Sequence, residues 1–307
     1  MDVGGRWTPD GEALALLDSS GTPFDGAEYR RAWTDSVAGW QDVSFGARAP
    51  DGTQAAVALL RRRRGAESLP LGYGGIVASR ALDRDETSSF LRAARRAAKA
   101  DDVRALAVPI NPAPESLHLG GRVIGWTSVV YLEASRPADA RLTKKGRQAV
   151  ARAERAGGIA RTGSADLKPF LSLYENASKD WSSSYPADVL RHLAEGGRLR
   201  LFDAELDGAV QASAAALIGD RHWMYWLAAQ SEAARAAELG YLTLSALIGD
   251  AHSSGAQAVN LGASAGLPGV ALFKRRFGAI DVPVLEYRSL RYVPAAARAV
   301  ITRAARR

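Results

Sequence analysis

Side chains able to do covalent chemistry are few in this chain of 307 residues. Cysteine is absent, which removes thiolate nucleophiles, thiolate metal sites and disulfides together and fits a reducing compartment. The histidines, His118, His192, His222 and His252, show no pair at metal-ligand spacing, so no metal site is expected. Gly262 to Gly266 reads GASAG, the pattern that presents a nucleophilic serine on a tight strand-to-helix turn. That chemistry needs a histidine further along the chain, and His252 is the last. Pro268-Gly269 also stands where the following helix would begin, so these glycines are expected to serve a tight turn and not a serine hydrolase. Neither a Gly-x-Gly-x-x-Gly nor a Gly-x-x-x-x-Gly-Lys-Ser/Thr loop occurs, and no dinucleotide or nucleoside triphosphate is called for.

What remains is charge. The formal net charge is +7, and it is concentrated in two short blocks. Residues 141–161 carry seven basic and one acidic side chain, and residues 268–307 carry nine and two, while the rest of the chain is acidic on balance. The first block reads as a helix. Arg141, Lys144, Lys145, Arg152 and Arg155 fall within an arc of roughly 100°, beside an apolar face of Leu142, Ala149, Val150, Ala153 and Ala156. Gly157-Gly158 supplies the stop. Such a stripe is either a solvated face or a surface for phosphates.

A composition of 47% hydrophobic and 24% charged residues excludes disorder and collagen and fits a soluble globular chain. No stretch is long and apolar enough for a membrane span. The N-terminal residues lack a basic segment leading into an apolar one, so a cytoplasmic protein is expected.

The elements that would carry these residues repeat once. Val43 to Ala49, the turn Pro50-Asp51-Gly52 and Thr53 to Arg62 read as a β-hairpin. Then come LGYGGIVAS at 71–79, a helix opened by Asp83 and Glu86 and running to about Ala100, a strand at Val103 to Val108 and another at Arg122 to Glu133. The order returns about 155 residues later. Leu199 to Leu206, Asp207-Gly208 and Ala209 to Ile218 form a hairpin, and Arg221 to Ala228 extends it. A helix over Glu232 to Ser254, a short strand at Ala258 to Leu261 and a last strand at Val282 to Arg291 follow. Asp166 to Glu195 reads as helical and Pro294 to Arg307 as a terminal basic helix. Repetition at this length implies two similar domains, not a solenoid. The expected fold class is α/β (α+β) with mixed sheets. The expected units are residues 1–140, a basic connecting helix at 141–161, and residues 162–307.

The stretch from Gly240 to Leu290 is the most specific. A long helix, an Asn-Leu-Gly strand end, a glycine turn and Phe-Lys-x-x-Phe-Gly (FKRRFG, 273–278) resemble the C-terminal half of the FemABX family and its BioF2-like relatives. LGYGGIVAS, the helix TKKGRQAVARAERAGG and the meander ending HWMYWLAA agree with that resemblance, which spans Trp33 to Tyr292. It implies two tandem GNAT-like domains and attack by an acceptor amine on an activated carbonyl. By its place in Phe-Lys-x-x-Phe-Gly, Lys274 resembles the family's catalytic lysine, a positive group beside the developing oxyanion. Phe273 and Phe277 are expected as core anchors. No general base is assigned, and Asp281 and Glu286 read as surface charges.

In the peptidoglycan branch of that family the donor is an aminoacyl-tRNA and the acceptor a cell-wall precursor peptide. The alternative donor is acyl-CoA, whose pyrophosphate suits an open helix N-terminus. At the junction AAQSEAAR (228–235), Glu232 occupies the first helical turn, and Asp83, Asp85 and Glu86 occupy it in the first half. This favours aminoacyl-tRNA as co-substrate, with no further cofactor. Arg141, Lys144, Lys145, Arg152 and Arg155 would follow the tRNA backbone. Trp223, Tyr225, Trp226 and Arg275 would meet substrate, and Tyr73 would line the acceptor side. The acceptor is an amine on a peptidoglycan precursor or a specialised metabolite, and DNA is not expected as a partner. A non-catalytic scaffold that binds RNA or another polyanion is the remaining alternative.

Overall fold

The computed structural model describes residues 7–67, 73–110, 120–164, 166–179 and 185–291. The first half runs β1 (Thr8–Pro9), α1 (Ala15–Ser19), α2 (Ala27–Ser36), β2 (Trp40–Asp42), β3 (Phe45–Arg48), β4 (Gln54–Val57), β5 (Leu60–Arg62) and β6 (Gly65–Glu67). It continues through β7 (Ile76–Ala78), α3 (Arg84–Ala97), β8 (Asp102–Ala107) and β9 (Arg122–Tyr131). Helix α4 (Lys144–Arg155) leads into β10 (Ile159–Ser164), α5 (Lys168–Ser178), α6 (Ala187–Glu195), β11 (Leu199–Leu206), β12 (Ala209–Leu217) and β13 (His222–Gln230). Then follow α7 (Glu232–Ala236), α8 (Gly240–Ser253), β14 (Ala258–Asn260), α9 (Pro268–Arg276) and β15 (Ile280–Leu290).

Among the described residues these strands form two sheets. The smaller has the order β1-β3-β4-β7, and the larger has eleven strands in the order β10-β11-β12-β13-β14-β9-β15-β8-β6-β5-β2. Strand β9 pairs with β14 on one side and β15 on the other. Strand β15 itself lies between β9 and β8. Described strands from both expected halves therefore share one continuous sheet. Glu286 fastens the seam from β15, accepting from Arg104 Nε and Arg122 Nη2, each at 2.6 Å. Burial works against its charge, but the two guanidiniums outweigh it and hold the carboxyl below its ordinary range. Glu286 is thus no surface charge.

The sheet of the second half is covered on both faces because its strands alternate. Met224 and Trp226 join a cluster with Phe170 and Tyr174 of α5 and Val189, Leu190 and Leu193 of α6. Trp223 and Phe202 face the other way, against Tyr241, Leu244 and Leu247 of α8 and Ala149 of α4. Fully burying a side chain such as Phe170 or Phe202 stabilises by roughly 1.5 to 3 kcal/mol.

Local signals appear where the sequence places them. Asp83 accepts from the N–H groups of Asp85 and Glu86, and the Glu86 carboxylate accepts from the Asp83 N–H, a complete capping box on α3. Helix α4 stops before Gly157. Several expectations need correction. The strand expected over Thr53 to Arg62 breaks after Val57, so β4 joins the small sheet and β5 the large one. The helix expected over Glu232 to Ser254 breaks at 237–239, where Glu238 takes a left-handed backbone (φ 58). The segment 166–195 is two helices. The expected basic helix at 294–307, together with His118, lies outside the described residues. No helix among the described residues is long and apolar enough to cross a membrane.

Candidate functional site

The site follows from a short parallel pairing. Strands β13 and β14 are partners only from His222 to Met224 against Ala258 to Asn260. Beyond Met224, β13 continues to Gln230 along β12, with a register shift at Ala215/Ala216, while the chain after Asn260 turns away. The two strands splay, and a cleft of about 860 Å³ lies in the opening. Tyr73, Tyr185, Trp226, Gln230 and Lys274 are among its walls.

Helix α9 delivers the lysine. Pro268 stands in its first turn, where a missing N–H costs nothing. Phe273 and Phe277 pack on Tyr241 with ring centroids 4.9 and 5.7 Å away, anchoring the helix as the sequence leads one to expect. Lys274 turns inward and is only 3% exposed. Its Nζ donates to the carbonyls of Gly262 at 2.7 Å and Ala263 at 2.8 Å. An ammonium has three donors, so one stays uncommitted among the described residues. Burial pulls the pKa of Lys274 down to about 8, against the charge of Asp281, which raises it.

The carbonyls that hold Lys274 belong to the glycine turn at 262–266, and that turn is itself held. Buried Asn260 accepts from Thr127 Oγ1 at 2.6 Å and from the Gly262 N–H at 2.8 Å. The Tyr73 hydroxyl bonds the Thr127 hydroxyl and the Ala263 backbone, and burial pushes its phenol up. Gly262 suits the turn because its φ is +75; a Cβ there would also stand 3.3 Å from the Met224 methyl, which would have to give way slightly. The GASAG pattern is thus a turn that grips a lysine.

Of the residues expected to meet substrate, Tyr73, Tyr225 and Trp226 line the cleft. Trp223 does not: it lies within the stretch where β13 is still paired with β14 and packs on the α8 side, with its ring 5.4 Å from the Arg200 guanidinium. Arg275 is exposed on α9 and is not part of the cleft wall. On the basic helix, Arg141 pairs with Glu133 at 2.6 Å and Arg152 with Glu238 at 2.7 and 2.9 Å. Lys144, Lys145 and Arg155 are exposed and form no ion pair among the described residues. The first basic block meets the described part of the second at α9. Thr143 N–H donates to the Arg276 carbonyl at 2.9 Å, and a Cβ on Gly146 would come within 2.5 Å of that same oxygen.

Sequence reasoning missed Asn260, Thr127, Tyr185, Arg235 and Gly240. Tyr185 stacks edge-on against Trp226 with centroids 4.1 Å apart. Arg235 and Gly240 line the cleft, the first exposed and without an ion pair among the described residues. For Asn260 there was a signal, a polar residue ending an apolar strand. Thr127 is brought in from β9 by its bond to Asn260 and Tyr185 by its packing on Trp226, while Arg235 and Gly240 depend on how α7 and α8 are placed.

Residues 138–275 match the family model of the acetyltransferase (GNAT) domain. Fold and matched domain together define a tandem GNAT-like architecture. The chain has the fold of FemABX-like proteins: it is similar to FemX with a TM-score of 0.62 and 13% identity, over 90% of this chain and 95% of that one. It is also similar to L-PGS from Bacillus licheniformis, with a TM-score of 0.54 and 13% identity over 98% and 97% of the two chains. A tandem GNAT protein from the clavulanic acid biosynthesis pathway superposes with a TM-score of 0.54 and 12% identity over 94% and 98%. No curated protein matches by sequence.

Proposed function

We propose that the protein forms amides by moving an acyl group from a carrier to an amine at the cleft beside Lys274. The observation that carries this reading is a buried ammonium, with one donor uncommitted, in the wall of an opening between splayed strands. The amine nitrogen attacks the donor's carbonyl carbon. A C–N bond forms as the bond from that carbon to the carrier breaks, and the proton lost by the nitrogen leaves with the carrier group or to water. Negative charge gathers on the carbonyl oxygen during attack, and a preorganised cation in a dry wall stabilises it. With its pKa lowered to about 8, Lys274 still carries that charge at neutral pH.

The donor in our reading is an aminoacyl-tRNA, met in the cytoplasm. Lys144, Lys145 and Arg155 on α4 and Arg275 on α9 lie exposed on two abutting helices, form no ion pair among the described residues and would face a phosphate backbone. The FemABX resemblance points the same way. A second reading, acyl-CoA, is favoured by α8. The Glu232 carboxylate that argued against it belongs to the five-residue α7. The helix that opens on the cleft is α8, whose first turn holds no carboxylate and whose Gly240 lines the wall beside Arg235.

Incubating the protein with a pool of charged tRNAs, then with acyl-CoAs, in the presence of candidate amines separates the readings. Discharge of aminoacyl-tRNA into an amide supports the first. Discharge of acyl-CoA alone replaces it with the second. Salt-dependent RNA binding with no product from either donor leaves a non-catalytic scaffold.

A further inference from the structure

The 262–266 turn has a second opening on its other side. A groove of about 570 Å³ shares Tyr73, Ala263 and Ala265 with the Lys274 cleft, so the two cavities meet across the turn. Its apolar walls are Leu106, Ile124, Trp126 and Val284. Trp126 is 58% exposed and Ile124 39%, an unusual concentration of large apolar surface left in water. The pairing explains the space: β9 and β15 shift register at Val284/Leu285, and Gly125 between the two side chains meets nothing within 4 Å.

The polar side of the groove has one sign. Asp281 is exposed, its Oδ1 accepts from Ser128 Oγ at 3.1 Å, and it forms no ion pair among the described residues. No lysine or arginine lines the groove. A phosphorylated or nucleotide-linked acceptor would find a repelling carboxylate there and no cation to pair with. A single cation on an apolar body would find a counter-charge and a surface to cover.

We propose that this groove is the acceptor subsite and takes a primary amine carried on an apolar or aromatic body, its ammonium at Asp281 and its body against Trp126 and Ile124. This rests on reading the Lys274 cleft as the site of transfer. An amine seated at Asp281 lies across a single turn of chain from the lysine, close enough that the carboxylate already acts on the Lys274 charge. Of the acceptors the sequence leaves open, the geometry selects a small apolar amine over a nucleotide-linked cell-wall precursor.

The test is equilibrium binding to the full chain with no donor present, using 2-phenylethylamine and octylamine against 2-phenylethanol and octanol by titration calorimetry. Both amines are expected to bind at least about tenfold more tightly than the alcohols. Asp281→Asn should remove that preference, and Trp126→Ala should weaken amine and alcohol alike. Both side chains are exposed, so the variants are expected to keep the wild-type melting temperature. Equal binding of amines and alcohols, an unchanged preference in Asp281→Asn, or displacement of the amine by a UDP-sugar would each overturn the proposal. Because no donor is present, failure here leaves the transfer reading standing. Amine binding without turnover from any donor would strike the transfer reading alone.

Discussion

Helices α3 and α8 occupy the same place in the two halves, each following its half's hairpins, and each has fourteen residues. They open in opposite ways. At α3, Asp83 and Glu86 satisfy each other's backbone, and Arg80 bridges Glu86 at 2.6 Å to Asp51 at 2.8 Å. That positive end is closed by carboxylates. At α8, Leu239 stands at the cap position with no side-chain bond, the first turn has no carboxylate, and Gly240 opens on the cleft. The strands beside them differ likewise: β11 and β12 run eight and nine residues unbroken, whereas their counterparts split between two sheets. One half keeps long continuous strands and starts α8 without carboxylates, the N–H groups of Tyr241, Leu242 and Thr243 bonding the Glu238 and Leu239 carbonyls instead. The other stabilises its own ends and lends Tyr73 to both cavities beside the 262–266 turn and Trp126 to the groove.

Four variants and a pH profile probe that division of labour. Lys274→Ala should lower kcat at least about a hundredfold, the range for loss of one oxyanion-stabilising donor. A turnover within a factor of two of wild type would put the chemistry elsewhere. Gly240→Asp places on α8 the carboxylate that α3 already has, and should raise the KM for an acyl-CoA donor by roughly tenfold while sparing kcat. An unchanged KM would mean that the open end of α8 is not used. The pH-rate profile should fall as pH rises through about 8, because Lys274 loses its proton there. The same group binds fewer protons folded than unfolded between about 8 and its ordinary 10.5, so its contribution to stability rises with pH across that window. Thermal melts of wild type and Lys274→Met across that range would isolate it. The smallest effect belongs to α3: Asp83→Ala should cost about 1 kcal/mol of stability, seen as a melting temperature lower by a few degrees, with turnover unchanged.

What the sequence revealed was local. The capping box of α3 needs only Asp83 and Glu86 three residues apart. The turn at Asp207-Gly208 needs two residues that accept left-handed backbone, and their φ values are 53 and 77. Lys274 came from a resemblance in pattern, and its burial and its grip on the 262–266 turn were not visible without the neighbouring strand. The break before α8 escaped because Glu238 is no usual residue for a left-handed position, and its side chain is occupied by Arg152 from another helix. Trp223 was misplaced because the sequence does not show where β13 parts from β14: Trp223 lies inside the paired stretch, and Tyr225 and Trp226 lie beyond it. Asp281 and Glu286 looked alike as charges, yet one lines a groove and the other is locked between two arginines.

The position of β15 has a consequence for how the molecule is made. Arg104 and Glu286, joined across the seam, are 182 positions apart. A ribosome releases β8 and β9 long before the strand that belongs between them exists. Until then, two strand edges with unpaired backbone stand open to any other extended chain. The same late segment brings α9 and Lys274, so the nascent first half can neither pair these edges nor acquire the lysine until that segment has been made. Completion of the sheet and completion of the site are one event, and a chain cut short before β15 would leave an aggregation-prone fragment instead of a partly active enzyme.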